Sequence, residues 1–246
     1  MAKKGGSRHL KRLAAPITYK IPRKLGKWTI RINPGPHPAD RAIPLGILIR
    51  DILGIASNLR EVKYVLRKGY IKVDGKKILD YHFPIGLMDV IELVPENKFY
   101  RVLPHKINLI YPYEISDVDD ALIKPLQIKN KTMVKGSRIQ LTTHDGRNFL
   151  FDKDSEYYTL KPGDTIIYNY NENKLDRYIR LEPGNMALIT GGSKIGRLGK
   201  IKDILKPHPL KPRIVRLVGD SEEYETVFEY VFPIGSDRPI IKIPWY

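Results

Sequence analysis

Short apolar runs broken by glycine, proline and charge recur along the chain, and only two stretches keep helical spacing. After Pro44, the residues Ile47, Ile49, Ile52 and Leu53 predict a short helix that stops at Gly54. Ser57 or Asn58 then offers an N-cap, Leu59, Val62, Val65 and Leu66 follow at spacings suited to one helix face, and Gly69 stands at the C-cap position. Tyr70–Val73 predicts a strand, Asp74-Gly75 a type I′ hairpin turn, Ile78–Leu79 the returning partner, and Val90–Val94 a further strand. Residues 43–96 therefore form one compact α/β unit.

From Pro95 to about Arg180 the pattern changes to short strands. Arg138–Thr142 and Asn148–Phe151 flank an Asp145-Gly146 turn, Thr165–Tyr170 follows a Pro162-Gly163 turn, and Ser116–Leu122 suits a short capped helix. Beyond Gly184 the strand candidates are Met186–Thr190, Gly199–Lys202, Ile214–Val218, Val227–Phe232 and Ile240–Ile243. Regular short strands with Gly/Pro punctuation suggest small barrels. The expected class is α+β, mostly β, with units at 97–180 and 181–246.

Residues 1–42 follow neither pattern. Pro16, Pro22, Pro34, Pro36 and Pro38 forbid long helices, and the apolar residues stand alone among charges. Such a segment cannot bury a core of its own. It is expected to be disordered in the free protein and to become ordered on a partner.

Charge identifies that partner. The formal net charge is +16, and Met1–Ala39 supplies +10 of it through Lys3, Lys4, Arg8, Lys11, Arg12, Lys20, Arg23, Lys24, Lys27 and Arg31, without one Asp or Glu. An acid-free extension on nearly balanced globular parts is suited to a polyanion, and the lack of an apolar helical face favours nucleic acid over a membrane surface. His9, Tyr19 and Trp28 lie in the same segment, where the two larger aromatics either stack on unpaired bases or pack against the protein body. No apolar run approaches the ~20 residues of a membrane helix, and no secretory signal is expected. The chain contains no cysteine, which excludes disulfides and thiolate zinc sites and agrees with a reducing setting.

The predicted second helix adds a specific feature. Arg60, Lys63 and Arg67 recur at spacings of three and four beside its apolar stripe, and Lys68, Lys72, Lys76 and Lys77 continue the charge around Gly69 and along the hairpin. A helix edge and hairpin carrying these cations suit an RNA backbone, which is recognised by shape and phosphates.

The run from Ser57 to Lys76, with Met88-Asp89-Val90-Ile91 closing the unit, resembles the S-four RNA-binding domain. The segment Met186 to Ile201, with its Thr190-Gly191-Gly192-Ser193 turn and Gly199-Lys200-Ile201, resembles a KOW motif. Lys194, Arg197, Lys200 and Lys202 belong to a stretch from Lys194 to Arg216 that holds eight Lys/Arg against Asp203 alone. His9-Leu10-Lys11-Arg12-Leu13-Ala14-Ala15-Pro16, Gly35-Pro36-His37 and Val231-Phe232-Pro233-Ile234-Gly235 are similar to segments of the e-type S-four ribosomal protein family of archaea and eukaryotes. One departure is Tyr19, where the family usually carries Trp.

The resemblance implies a basic extension (1–42), an S-four domain (43–96), a central β-rich domain (97–180) and a KOW-type, SH3-like barrel (181–246). It implies a structural constituent of the cytoplasmic small ribosomal subunit that binds 16S/18S-type rRNA and supports assembly and translation. Neighbouring ribosomal proteins are the other expected partners. No cofactor, small-molecule substrate, membrane or homo-oligomer is expected.

Catalytic readings fare poorly. Lys174-Leu175-Asp176-Arg177 is a weak echo of a pseudouridine synthase motif, and the long alternating helices of a methyltransferase are missing. A phosphate-binding P-loop fails because Lys194 stands where Gly199-Lys200 needs its first glycine. The histidines have no metal-ligand spacing, His144-Asp145 suits a turn, and Asp117, Asp119 and Asp120 suit a helix N-terminus. A KOW-bearing transcription or translation factor is the alternative binding reading.

Overall fold

The computed structural model describes residues 7–205, 212–219 and 222–245, so Lys3 and Lys4 lie outside the described residues. The N-terminal segment is folded. β1 (Leu10–Lys11) pairs antiparallel with β2 (Trp28–Thr29), and 3-10 turns over Arg12–Ala14 and Ile17–Tyr19 lie between them. Its isolated apolar residues do not build a core. Instead Ala15, Tyr19, Ile21, Ile30 and Ile32 complete the core that Ile43, Leu45, Ile47, Val62 and Leu66 begin. This corrects two expectations. The described part of the segment is integral to the fold, and Tyr19, only 1% exposed, has no surface to offer an RNA base. Trp28 remains half exposed.

The unit expected over residues 43–96 follows the sequence closely at first. β3 (Ile43–Pro44) leads into α1 (Leu45–Ile47), which continues as a π-helical turn over Leu48–Ile52. α2 (Leu59–Lys68) is capped at both ends, by the Asn58 side chain and by Gly69 at φ 71°. β4 (Ile71–Val73) turns through Asp74 and Gly75, both at positive φ (49° and 74°), so β5 (Lys76–Lys77) returns at once rather than at Ile78–Leu79. β6 (Pro84–Ile85) pairs with β3, and β7 (Val90–Leu93) with β4.

The expected boundary at residue 96 is a turn within one sheet. Asn97 adopts φ 50°, and the chain doubles back into β8 (Lys98–His105) and then β9 (Leu109–Ile115), giving the order β5-β4-β7-β8-β9. The expected short helix forms as α3 (Val118–Leu122). It leads directly into β10 (Ile123–Val134), the long strand at the centre of the second sheet. Lys124, Pro125 and Gln127 interrupt its apolar pattern, which is why the sequence does not announce it. β11 (Arg138–Thr143), β12 (Asn148–Phe151), β13 (Thr165–Asn169) and β14 (Lys174–Ile179) complete the order β12-β11-β10-β13-β14. The echo at Lys174–Arg177 is therefore plain edge strand.

The third sheet has the order β18-β17-β16-β15-β19, from β15 (Met186–Ile189), β16 (Leu198–Ile204), β17 (Ile214–Val218), β18 (Glu223–Val227) and β19 (Val231–Gly235). The single strand expected over Val227–Phe232 is instead the end of β18, a 3-10 turn over Phe228–Tyr230, and the start of β19. Ile240–Ile243 forms no strand, since Pro239 and Pro244 flank it. Ile241 and Ile243 join Met88, Leu103, Met186 and Phe232 in a core shared by the first and third sheets. The molecule is α+β and mostly β.

Candidate nucleic-acid interface

The cations of α2 are positioned by the helix's own chemistry. Val62 and Leu66 are fully buried, which turns Arg60 and Arg67 outward and leaves Lys63 at the border. Asn58 Oδ1 accepts from the Arg60 and Glu61 N–H groups at 3.0 Å each, while the Glu61 carboxylate accepts from the Ser57 N–H at 2.8 Å and the Asn58 side-chain amide at 2.6 Å. The single acid on the helix is thereby committed to its N-terminus. Arg60, Lys63, Arg67 and Lys68 form no ion pair among the described residues, nor do Lys76 and Lys77.

The hairpin brings its charge to the same end of the helix. Gly69 lies so close to Lys77 that an added Cβ would meet the lysine Cδ at 3.1 Å, which lays Lys77 across the α2 C-terminus. Arg67 and Lys68 in the last turn also oppose the negative end of the helix dipole. Lys72 differs, because its ammonium pairs with Glu92 at 2.7 Å across β4 and β7. Lys63 lies over the Tyr81 ring at 4.9 Å, and Tyr81 adjoins His82 at 4.0 Å between ring centroids. The His82 ring is held on the Arg31 carbonyl at 2.6 Å, so exposed Arg31 belongs to the same rim.

Within the N-terminal segment the cations divide into two groups. Arg23 donates to the carbonyls of Arg12, Ala15 and Pro16, and Arg12 donates to that of Pro22, so these two half-buried arginines fasten the segment together. Lys20 sits over Tyr111 at 4.6 Å and Lys27 over Trp28 at 5.2 Å, while His9 adjoins Trp28 at 5.4 Å. Arg8, Lys11 and Lys24 are exposed.

The KOW-like region is different again. Arg197 pairs with Glu222 at 3.1 Å, Lys200 with Asp237 at 2.9 Å, and Lys202 with Glu223 at 2.5 Å, which leaves Lys194 as the named cation there without an acid partner among the described residues. Its glycines permit close packing within the protein. A Cβ on Gly191 would fall 2.6 Å from the Tyr230 ring, and Gly196 lies against the Pro104 carbonyl.

Sequence reasoning missed a buried charge cluster where the first two sheets meet. Lys124 is fully buried, with its ammonium 2.6 Å from both Asp74 and Asp89 and 3.3 Å from Asp145. Arg147 reaches Asp74 at 2.9 Å and Asp145 at 3.0 Å, and His37 from the N-terminal segment meets Asp89 at 3.0 Å. Burial alone would lower the Lys124 ammonium, but the three carboxylates outweigh it and hold it above its ordinary value. Burial would likewise raise Asp89, and the opposing His37 and Lys124 hold it well below the usual carboxylate range. The cluster fixes the N-terminal segment, the hairpin and β10 in one geometry, and so fixes the cations they carry. No sequence signal marks it, because Asp74 and Asp145 look like turn residues and Asp89 like a motif position.

Comparison with known proteins accounts for the whole chain. The sequence model of the ribosomal family S4e matches residues 96–175, and that of the RS4NT domain matches residues 4–40. The small ribosomal subunit protein eS4 of Ignicoccus hospitalis is 43% identical, covering 98% of this chain and 96% of that protein. That of Methanocaldococcus jannaschii is 41% identical, covering 99% and 100%. The crystal structure of the 30S ribosomal protein S4e from Thermoplasma acidophilum superposes with a TM-score of 0.69 at 32% identity, covering 80% of this chain and 96% of that one.

Proposed function

The chain belongs to the S4e family of small-subunit ribosomal proteins, and from that membership we propose that it binds 16S/18S-type rRNA through one continuous basic face and supports subunit assembly. It is a structural constituent of the small ribosomal subunit in the cytoplasmic ribosome and not an enzyme. The face runs from exposed Arg60, Arg67 and Lys68 on α2, over Lys76 and Lys77 on the hairpin, to Arg31 and the exposed lysines of the N-terminal segment. The observation that carries this reading is the commitment of Glu61 to the α2 N-cap, which leaves the helix cations unneutralised by protein.

Each phosphate contact releases bound counterions, so affinity through this face falls steeply with salt. The test is a binding series between the purified chain and a small-subunit rRNA transcript at rising salt, together with sedimentation of the tagged chain in cell lysate. A linear fall of log affinity with log salt and co-sedimentation with small subunits support the proposal. Salt-independent binding would overturn it.

A further inference from the structure

A concave site lies outside the basic face. A cavity of about 580 Å³ opens where the N-terminal segment meets the second and third sheets. Its walls are largely apolar, from Pro16, Ile17, Leu87, Tyr230 and Phe232. Arg41 and Lys129 both line it, and neither forms an ion pair among the described residues. The Arg41 guanidinium lies 5.9 Å from the Tyr230 ring centroid. Although Lys129 reaches solvent, its ammonium is held below the usual lysine value, first by partial desolvation and then by the Arg41 charge, against an opposing pull from Glu229. Two cations facing one space are relieved by an anion between them. Asp40 is the single acid among the lining residues, and the Glu229 carboxylate opposes the Arg41 charge at Lys129 only in part.

Unused polar groups accompany this charge pair. The Gln127 side-chain nitrogen donates to the Val231 carbonyl at 2.6 Å, whereas its Oε1 accepts no hydrogen bond among the described residues. Gly191 and Gly192 line the cavity, and their N–H groups donate to nothing among the described residues. The apolar wall, free donors, a free acceptor and paired cations match one ligand class: a flat heterocycle with hydrogen-bonding edges that carries a phosphate. The volume lies in the ordinary range for such sites, ~300–1,000 Å³.

We propose that this cavity takes a single nucleotide, with its base against the Pro16/Ile17/Leu87 wall and its phosphate at Arg41 and Lys129. The nucleotide is either one extruded from folded RNA or a free mononucleotide. The first source rests on the rRNA-binding reading above. RNA recognition commonly uses unpaired bases splayed from the helix onto apolar and aromatic side chains.

The test uses the full chain. Ile17 is half exposed and lines the cavity from its outer side, so Ile17→Trp obstructs the space without entering the core. Arg41→Gln with Lys129→Gln removes the anion contacts by a different route. For an extruded nucleotide, the wild type protects one unpaired rRNA base from dimethyl sulfate, and both variants lose that protection. Affinity then falls about three- to tenfold, and the double variant lowers the slope of log affinity against log salt by about one. For a free source, AMP gives saturation-transfer signals with the wild type that Ile17→Trp abolishes, and rRNA protection is unchanged. If the wild type binds rRNA but neither variant alters protection or AMP signals, the cavity proposal is overturned and the basic face stands. If the wild type binds AMP but no rRNA, the rRNA reading fails and the nucleotide site stands.

Discussion

The ammonium of Lys124 lies 2.6 Å from an Asp89 carboxylate oxygen, although Lys124 belongs to the second sheet and Asp89 to the turn before β7 in the first. Both residues are essentially inaccessible to water. This pair and the carboxylates around it join the sheets by charge.

Lys124→Met leaves Asp74 and Asp145 with Arg147, and Asp89 with His37, as their remaining side-chain partners. Removing one partner from a buried ionic cluster costs about 3–5 kcal/mol. Chemical denaturation should register that loss. Adding Asp89→Asn should cost less than the sum of the two single changes, because both act on one network. Strict additivity would mean that the two groups are not coupled.

His144 sets the acid side of the stability profile. Its Nδ1 accepts from the Gln127 N–H at 3.2 Å and its Nε2 donates to the Leu87 carbonyl at 3.1 Å, an arrangement that requires the neutral ring. Burial, with the charges of His37 and Lys124, lowers its pKa from 6.5 to about 4. The unfolded chain therefore takes up a proton first as pH falls. Stability is full above about pH 6.5 and is lost down to about pH 4, by of order 3 kcal/mol. Unfolding titrations of wild type and His144→Gln should differ in this window, and the His144 ring signal should titrate near 4. A ring titrating near 6.5 would sink the assignment.

Tyr19 and Trp28 should behave oppositely. Tyr19 fills the first core, and burial pushes its phenol up to about 12. Tyr19→Ala should cost about 3 kcal/mol, whereas Trp28→Ala should change stability by no more than about 0.5 kcal/mol. Trypsin should cut after Lys20 and Arg23 only as fast as the first core opens. Rapid cutting there in an otherwise intact protein would restore the picture of a loose extension.

The basic surfaces should separate in their salt response. Arg60→Glu with Arg67→Glu should leave stability within about 0.5 kcal/mol. The same double change should lower the salt slope of rRNA binding by roughly 1.5. Arg197→Gln with Lys202→Gln should change it much less, because Glu222 and Glu223 already neutralise those cations. Equal effects from the two pairs would contradict the division.

The sequence by itself determined whatever depends on near neighbours in the chain. The α2 stripe, its Asn58 and Gly69 caps and the Asp74-Gly75 turn are legible because helix spacing, capping and positive φ are fixed within a few residues. The tertiary structure decided the rest. Prolines and charge made residues 1–42 look unable to bury a core, yet Ile30 and Ile32 lie in a core supplied largely by residues 43–93. The strand at Ile123–Val134 was hidden by Lys124, whose burial makes sense only once Asp74, Asp89 and Asp145 arrive from distant parts of the chain. The cations of β16 looked as available as those of α2 until Glu222, Glu223 and Asp237 were brought beside them. A charge counted along a sequence gives the field of the whole protein. Whether that charge is free to meet a phosphate depends on partners that only folding brings within about 4 Å.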